Sequence, residues 1–182
     1  MESKVKKSKP LTKEDVWEGF DELRKIMKES QEKSDREWEI VRKKMGAWAD
    51  NHGSFAEEYF FNSFERGEKT FFGEKFDYIA KKVKNHWKGL QAEYDIVIYN
   101  CTSVAIIEVK FKAHINDLQK VLQKAQTFKI LFPNYKDFKI YIGLASMTFY
   151  DDLEQACKDN GIAIIKQVGD NVVVYDEHLK IF

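Results

Sequence analysis

The stretch VAIIEVKFKA, residues 104–113, decides the fold, because it is a dense apolar run that carries charges near its end. Alternation along a β-strand sorts residues 104–112 into two faces. One face is wholly apolar: Ala105, Ile107, Val109 and Phe111. The other begins apolar and becomes charged: Val104, Ile106, Glu108, Lys110 and Lys112. Burying an unpaired charge is expensive. Glu108 and Lys110 are therefore predicted to lie side by side where the strand leaves the core.

A second acid is expected beside this pair. Asp95 lies near the start of the strand-like segment EYDIVIYN, thirteen positions before Glu108, and the residues YNCTS supply a turn between the two segments. An antiparallel hairpin places the start of its first strand beside the end of its second. Asp95 and Glu108 are thus predicted to converge, with Lys110 adjacent.

Two carboxylates at close range repel each other unless a positive charge lies between them. Oxygen ligands of this kind suit a hard divalent cation, and Mg²⁺ is commonly held by one or two carboxylates. Such a metal polarises a phosphoryl oxygen and generates a nucleophilic hydroxide, and a neighbouring lysine neutralises charge on a phosphate. The pattern therefore predicts a Mg²⁺ (or Mn²⁺) site.

Composition sets limits on the partners. The chain has 182 residues, of which 43% are hydrophobic, with 30 basic and 30 acidic residues. This balance gives no global field for nucleic acid, so any such binding needs a local patch. No leader-like or membrane-spanning apolar segment is present, and Cys101 and Cys157 fit no metal or redox spacing. We expect a soluble, cytoplasmic protein with no membrane partner.

The N-terminal third reads as a tail followed by a helix. Residues 1–12 are predicted to be a disordered basic tail, and residues 13–50 a long helix or coiled-coil arm. Its apolar seam steps by three and four residues, and Ser30 and Ser34 hold the same register between its two halves: Phe20, Leu23, Met27, then Val41, Met45 and Trp48. The helix either folds back on its own domain or forms a dimerisation arm. The arm is favoured because a polar helix of this length needs a partner, so we expect a homodimer through it.

The remainder, residues 52–182, has the pattern of an α/β domain. Gly53 is predicted to break the helix, which then restarts through DNHGSFAEEYFFNSF. Beyond it follow three strands, a helix ending before Pro133, a strand, a helix closed by Gly161 and two short strands. A meander that feeds a helical crossover predicts a three-layer sandwich with a central mixed β-sheet.

The two half-motifs, Tyr94-Asp95 and Glu108-Val109-Lys110, resemble those of the PD-(D/E)XK nuclease superfamily, with Tyr94 where Pro is nominal. HGSFAEE is similar to the first core helix of Holliday junction resolvase-like members, which places Glu57 four positions after Gly53. Its neighbour Glu58 is the less favoured candidate. The resemblance covers residues 52–150 and implies a restriction-endonuclease-like fold preceded by the long N-terminal helix.

The resemblance also implies an activity, the Mg²⁺-dependent hydrolysis of DNA. Asp95, Glu108 and the carbonyl of Val109 would then be metal ligands. Lys110 would position or activate the water, and Glu57 would support the metal shell. Gln119 and Gln123 lie on the following helix, where relatives sometimes place a supporting glutamine, or are simply exposed.

The segment AKKVKNHWKGL mixes basic and aromatic residues without an acid. It is either a solvated loop or a surface for phosphates and stacked bases. The candidate nucleic-acid-binding residues are Lys81, Lys82, Lys84, Trp87, Lys88 and, after the motif strand, Lys112. Two rivals to a nuclease stay open: a catalytically inactive nuclease-fold protein that binds DNA or a protein as a dimer, and a structural module whose helical arm is its only function.

Overall fold

The computed structural model describes residues 13–67 and 70–182. The predicted tail at 1–12 lies outside them, as do the side chains of Val41 and Met45. The chain divides into two compact units after Trp48. Within the described ranges no helix combines the length and the apolar character that a membrane crossing requires.

Helix α1 spans Lys13–Arg66 without interruption. The predicted break at Gly53 is therefore wrong. A glycine lowers helix stability by only about 1 kcal/mol relative to alanine, and the apolar residues that follow offset this by packing into the domain. Ala56, Phe60 and Phe64 are fully or almost fully buried. In the N-terminal unit, by contrast, Leu23, Ile26, Met27 and Ile40 are exposed.

The domain is built on strands in the predicted order, with one small hairpin added. The hairpin consists of β1 (Thr70–Phe71) and β2 (Glu74–Lys75). The main strands are β3 (Tyr78–Trp87), β4 (Leu90–Tyr99), β5 (Ser103–Lys112), β6 (Lys139–Thr148), β7 (Ala163–Val168) and β8 (Asn171–Tyr175). The helices are α2 (Leu118–Leu131) and α3 (Asp151–Asn160).

In the described chain, six strands form one sheet in the order β3-β4-β5-β6-β7-β8. Strands β3, β4 and β5 are antiparallel, β5, β6 and β7 are parallel, and β8 returns antiparallel to β7. Parallel neighbours need crossovers, and α2 and α3 supply them. The predicted mixed sheet is confirmed.

Apolar side chains cover both faces of the sheet. Val104 and Ile106 of β5 pack in the cluster that contains Val121 and Phe128 of α2. Ala105 and Ile107 pack in the cluster that contains Phe60 of α1. The alternation predicted for the motif strand is thus confirmed, as is the three-layer arrangement. Helix, antiparallel meander, helix, parallel strand and helix together make a restriction-endonuclease-like fold.

Local hydrogen bonds and backbone conformation define the hairpin turns. The side-chain Oδ1 of Asn100 accepts hydrogen bonds from the backbone N–H of Thr102 and Ser103, at 2.8 and 2.7 Å. Strands β3 and β4 are joined by Lys88 and Gly89, both with positive φ, as a two-residue type I′ turn requires. The basic segment that could have been a loop is instead an edge strand and this turn.

Candidate functional site

The site begins with an irregularity in β4. Tyr94 belongs to the cluster under α2, whereas Ile96 belongs to the cluster under α1. A regular strand would place residues two apart on the same face. The neighbouring strand is irregular at the same level, because Lys82 of β3 has a φ of +53°. Its neighbours Lys81 and Val83 pair with Ile96 and Tyr94, on either side of Asp95.

The irregularity aims Asp95 at the motif strand. The regular β4–β5 pairing runs from Tyr99↔Val104 to Ile96↔Ile107. Just beyond the last pair, Asp95 Oδ2 accepts a hydrogen bond of 2.8 Å from the backbone N–H of Val109. The carboxylate thus takes the place of a backbone acceptor that the ladder no longer supplies.

Glu108 lies next to Asp95 and is held by two lysines. Its Oε1 is 2.7 Å from Lys110 Nζ, and its Oε2 is 2.8 Å from Lys124 Nζ. The Glu108 side chain is only 12% exposed. Lys124, which comes from α2, also donates a hydrogen bond to the backbone carbonyl of Glu93. Helix α2 therefore closes the site from the face that carries Glu108.

The two carboxyl groups titrate differently because their neighbours differ. Burial, together with the charge of Glu108, raises the pKa of Asp95 to about 6, although the Val109 N–H and the two lysines oppose the shift. Burial acts in the same direction on Glu108, but Lys124 and Lys110 outweigh it and lower the pKa of that carboxyl. For Lys110, burial works against the charged form, yet Glu108 raises the net pKa. At neutral pH the centre thus holds an ionised Glu108 and a protonated Lys110.

A divalent cation is compatible with this donor set. The pKa of Asp95 stays raised although Lys124 and Lys110 oppose the shift, so a bound cation would further stabilise the two adjacent carboxylates. Glu108 Oε2 is buried and lies 2.8 Å from Lys124 Nζ. Within the described chain, however, no three histidine, cysteine, aspartate or glutamate side chains are grouped closely enough to hold a metal.

Glu57 lies near the site but has a partner of its own. Its Oε2 is 3.1 Å from Lys82 Nζ, and Glu57 is the main cause of the raised pKa of Lys82. Since Lys82 stands opposite Asp95, α1 reaches the same level of the sheet. The structure brings together Asp95, Glu108 and Lys110, whereas it pairs Glu57 with Lys82 on the neighbouring strand.

The six candidate nucleic-acid-binding residues do not form a uniform positive surface. Lys81 pairs with Glu58 at 2.5 Å, Lys82 pairs with Glu57, and Lys84 pairs with Glu93 at 3.0 Å. At the β3–β4 turn, Lys88 lies over the ring of Trp87, which is 52% exposed. Lys112 lies over the ring of Tyr150.

Lys124 is not among the site residues predicted from the sequence, yet the structure places its Nζ 2.8 Å from Glu108. The same helix carries Gln123, which lines a groove of about 300 Å³ together with Lys120, Lys124 and the start of β4. Lysine and glutamine one position apart on the crossover helix were a usable signal. What the sequence could not give was the rotation of α2, which selects Lys124 as the residue that reaches Glu108.

Solved structures are similar to this chain in fold, whereas its sequence gives no match. No family model matches the chain, and no curated protein does. A repair endonuclease from Pyrococcus abyssi is similar over 57% of this chain and 42% of its own, at 14% identity and a TM-score of 0.42. Can2 from Sulfobacillus thermosulfidooxidans, in complex with cyclic tetra-adenylate, is similar over 62% of this chain and 31% of its own, at 17% identity and a TM-score of 0.45.

An fdxN element excision controlling factor protein from Anabaena variabilis is similar over 52% of this chain and 81% of its own, at 12% identity and a TM-score of 0.36. This chain spans less than half the length of the repair endonuclease and of Can2. The fold assignment rests on the strand order and connections described above.

Proposed function

We propose that this chain is a metal-dependent nuclease that hydrolyses DNA phosphodiester bonds. The observation that carries the proposal is that the Asp95 carboxylate binds the Val109 N–H beside Glu108, where the β4–β5 ladder stops, and that Lys110 is bonded to Glu108. Carboxylates and a lysine in this arrangement suit phosphoryl chemistry, in which positioning and charge stabilisation do most of the work.

Asp95, Glu108 and the carbonyl of Val109 are the groups that would hold Mg²⁺ or Mn²⁺. A divalent cation bound there supplies Lewis acidity toward a phosphoryl oxygen and lowers the pKa of a bound water. Glu57 would support these ligands from α1 after its ion pair with Lys82 is broken.

The protein's own groups divide the remaining work. Lys110 is kept protonated by Glu108, so its role is to neutralise charge on the phosphate rather than to accept a proton. Lys124 holds the orientation of Glu108 from α2. Both lysines act as fixed charges in a partly buried site, where electrostatic interactions are stronger than in water.

The second candidate function is a catalytically inactive nuclease-fold module that binds DNA or a protein. The observation that favours it is that both oxygens of Glu108 already contact lysines. A metal would have to compete with these ion pairs, and the described residues offer no third acid in the group.

The test begins with calorimetric titration of Mn²⁺ into the wild type and the double variant Asp95→Ala/Glu108→Ala. Cleavage of labelled single-stranded, duplex and branched DNA is then measured with Mg²⁺, Mn²⁺ or EDTA. We expect Mn²⁺ binding to be lost in the double variant. We also expect Asp95→Ala and Lys110→Ala each to lower the cleavage rate by about 100-fold or more.

The matched control is Lys136→Ala, which removes a lysine whose side chain is 71% exposed. Its cleavage rate should equal that of the wild type. Metal-dependent cleavage that survives Asp95→Ala would exclude the proposed site. Specific DNA binding without cleavage in any metal would favour the inactive module.

A further inference from the structure

Lys124 connects the acids of the proposed metal site to an open groove. Its Nζ lies 2.8 Å from Glu108 Oε2, and its side chain is 20% exposed. The same lysine lines the groove of about 300 Å³ between α2 and the start of β4. One ammonium group therefore contacts a buried carboxylate and is also within reach of an anion that binds in the groove.

The contact between Lys124 and Glu108 opposes the binding of a divalent cation. Glu108 Oε1 is 2.7 Å from Lys110 Nζ, so both oxygens of this carboxylate lie beside ammonium groups. A metal ion needs at least one of these oxygens, and cations that share one carboxylate repel each other strongly in a partly buried site. Metal binding at Asp95 and Glu108 is therefore weakened as long as Lys124 remains on Glu108.

Lys124 keeps other partners when it leaves Glu108. Its Nζ donates a hydrogen bond to the backbone carbonyl of Glu93 and lies 5.2 Å from the centroid of the Tyr94 ring. Because a lysine has a flexible four-carbon stem, its ammonium group can rotate away without a movement of α2. Lys110 lies two residues from Glu108 on the same strand and is assigned above to the phosphate that is cut. Lys124 is thus the contact that can be exchanged.

The groove beside Lys124 suits a phosphate group. Gln123 also lines it, and its amide offers uncharged donors to an anionic oxygen. The carboxylate of Glu93 belongs to the same lining, but it is 3.0 Å from Lys84 Nζ and so already has a counter-charge. Helix α2 itself carries three lysines and no acid. A phosphodiester of nucleic acid is the anion that this lining fits.

We propose that Lys124 exchanges its counter-ion when substrate binds. In the free protein it neutralises Glu108, and in the complex it neutralises a phosphate in the groove and leaves Glu108 Oε2 to the metal. The inference rests on the proposed metal site and DNA substrate. Lys124 stays charged throughout. Because each event removes an obstacle to the other, metal and DNA bind cooperatively, and the coupling factor is the same in both directions.

The first measurement is the cooperativity in the wild-type full chain. Fluorescence anisotropy gives the affinity for a labelled single-stranded 12-mer in EDTA and in Ca²⁺, a cation that binds oxygen ligands, at equal ionic strength. A denaturing gel scores any cleavage of the 12-mer separately. We expect binding to be about tenfold tighter in Ca²⁺, which lies within the usual range of coupling between two sites.

The second measurement compares variants at Lys124. Lys124→Met removes the charge and keeps an apolar stem, whereas Lys124→Arg keeps the charge. The matched control is Lys129→Met, a lysine on the same helix about 140° around its axis. Calorimetry with Mn²⁺ and no DNA should show about tenfold tighter binding for Lys124→Met than for the wild type, Lys124→Arg and Lys129→Met. In Lys124→Met the gain in DNA affinity from Ca²⁺ should fall to about threefold or less.

Equal DNA affinity of the wild type in EDTA and in Ca²⁺ would overturn the inference, whatever the variants do. So would a gain from Ca²⁺ in Lys124→Met as large as that of the wild type. Circular dichroism verifies the fold, and Lys124→Gln takes the place of Lys124→Met if the methionine variant is unfolded.

The same data separate this inference from the proposed nuclease. Cooperative binding without cleavage in any metal refutes the nuclease activity alone. Metal-dependent cleavage without cooperativity refutes the counter-ion exchange alone. A wild type that binds neither cation, with or without DNA, refutes the metal site and the exchange together.

Discussion

The charge on the Asp95 carboxylate lowers the stability of the folded protein, yet the proposed metal site requires that charge. Its carboxylate caps the Val109 N–H, but it is buried beside Glu108, and its pKa is raised from 3.8 to about 6. A raised carboxyl pKa means that the folded protein binds the proton more tightly than the unfolded chain does. The contribution of Asp95 to stability therefore falls as pH rises from about 4 to about 6, and the loss is complete above that range.

We predict that Asp95→Asn stabilises the metal-free protein above pH 6. The asparagine oxygen can still accept from Val109, while the charge beside Glu108 is removed. The gain in the free energy of unfolding should approach zero near pH 4 and reach at most about 3 kcal/mol at pH 8, from the size of the pKa shift. Urea unfolding in EDTA at pH 4, 6 and 8 measures it.

The control for this prediction is Asp137→Asn, at a side chain that is 85% exposed. It should give no pH-dependent gain. A gain for Asp95→Asn that is equal at pH 4 and pH 8 would mean that the surroundings do not raise the pKa of the Asp95 carboxyl.

At this scale the sequence predicted the contacts that follow from strand alternation and missed those that depend on helix rotation. The meeting of Asp95 and Glu108 follows from a short hairpin, because its register is set by a few residues. Lys124 and the Lys82–Glu57 pair depend on how α2 and α1 lie on the sheet, which is determined by the whole core. The irregularity at Lys82 was equally hidden, since lysine carries no signal for a positive φ.

At the scale of elements, the uninterrupted α1 is the largest departure from the expectation. Glycine is a helix breaker only when its conformational freedom is used. Gly53 keeps a helical conformation, and Phe60 and Phe64 beyond it pack into the domain core.

The order of strands and helices was predictable because strands and helices differ in the spacing of their apolar residues. The β1–β2 hairpin was not, since two-residue strands have no period. It is fixed by the Glu74 carboxylate, which bonds to Ser103, Lys139 and Tyr141.

We predict that Gly53→Ala stabilises the protein by about 0.5–1 kcal/mol, because alanine reduces the entropy lost on forming the helix. A Cβ at this position meets no atom within 4 Å. Differential scanning calorimetry should show a higher midpoint, by about 1–4 °C.

Gly143→Ala is the contrasting substitution in the same protein. Its Cβ would lie 2.9 Å from Ile165 Cδ1 and 3.3 Å from an Ile107 side-chain atom, so overpacking should lower the stability by about 1–3 kcal/mol. If Gly53→Ala instead lowers the midpoint, then α1 is bent or broken there in solution.

At the scale of the whole molecule, the N-terminal unit carries exposed apolar residues. Leu23 and Met27 are 56% and 70% exposed and lie four residues apart on one helical face. The described structure does not test the homodimer expected from their spacing, so it stays a prediction.

We predict a dimer that Leu23→Glu/Met27→Glu converts to a monomer, because charge placed in a coiled-coil seam removes its apolar contact and adds repulsion between the two helices. Sedimentation equilibrium over the micromolar range measures the change. Lys25→Glu, which adds an acid outside the seam, should leave the dimer intact. A wild type that is monomeric throughout this range would show the expectation to be wrong.

The acid partners of the β3 lysines also determine how the whole molecule would respond to ionic strength. A lysine that leaves a glutamate to meet a phosphate releases a counterion from the DNA but recruits one to the glutamate. Lys81, Lys82 and Lys84 therefore contribute little net ion release. Lys88 and Lys112 have aromatic neighbours in the described residues and contribute fully. The slope of log affinity against log salt for a single strand should be about −1.4 rather than the roughly −3.5 that five unpaired lysines would give. The proposed binding of nucleic acid should therefore persist over a wide range of salt concentration.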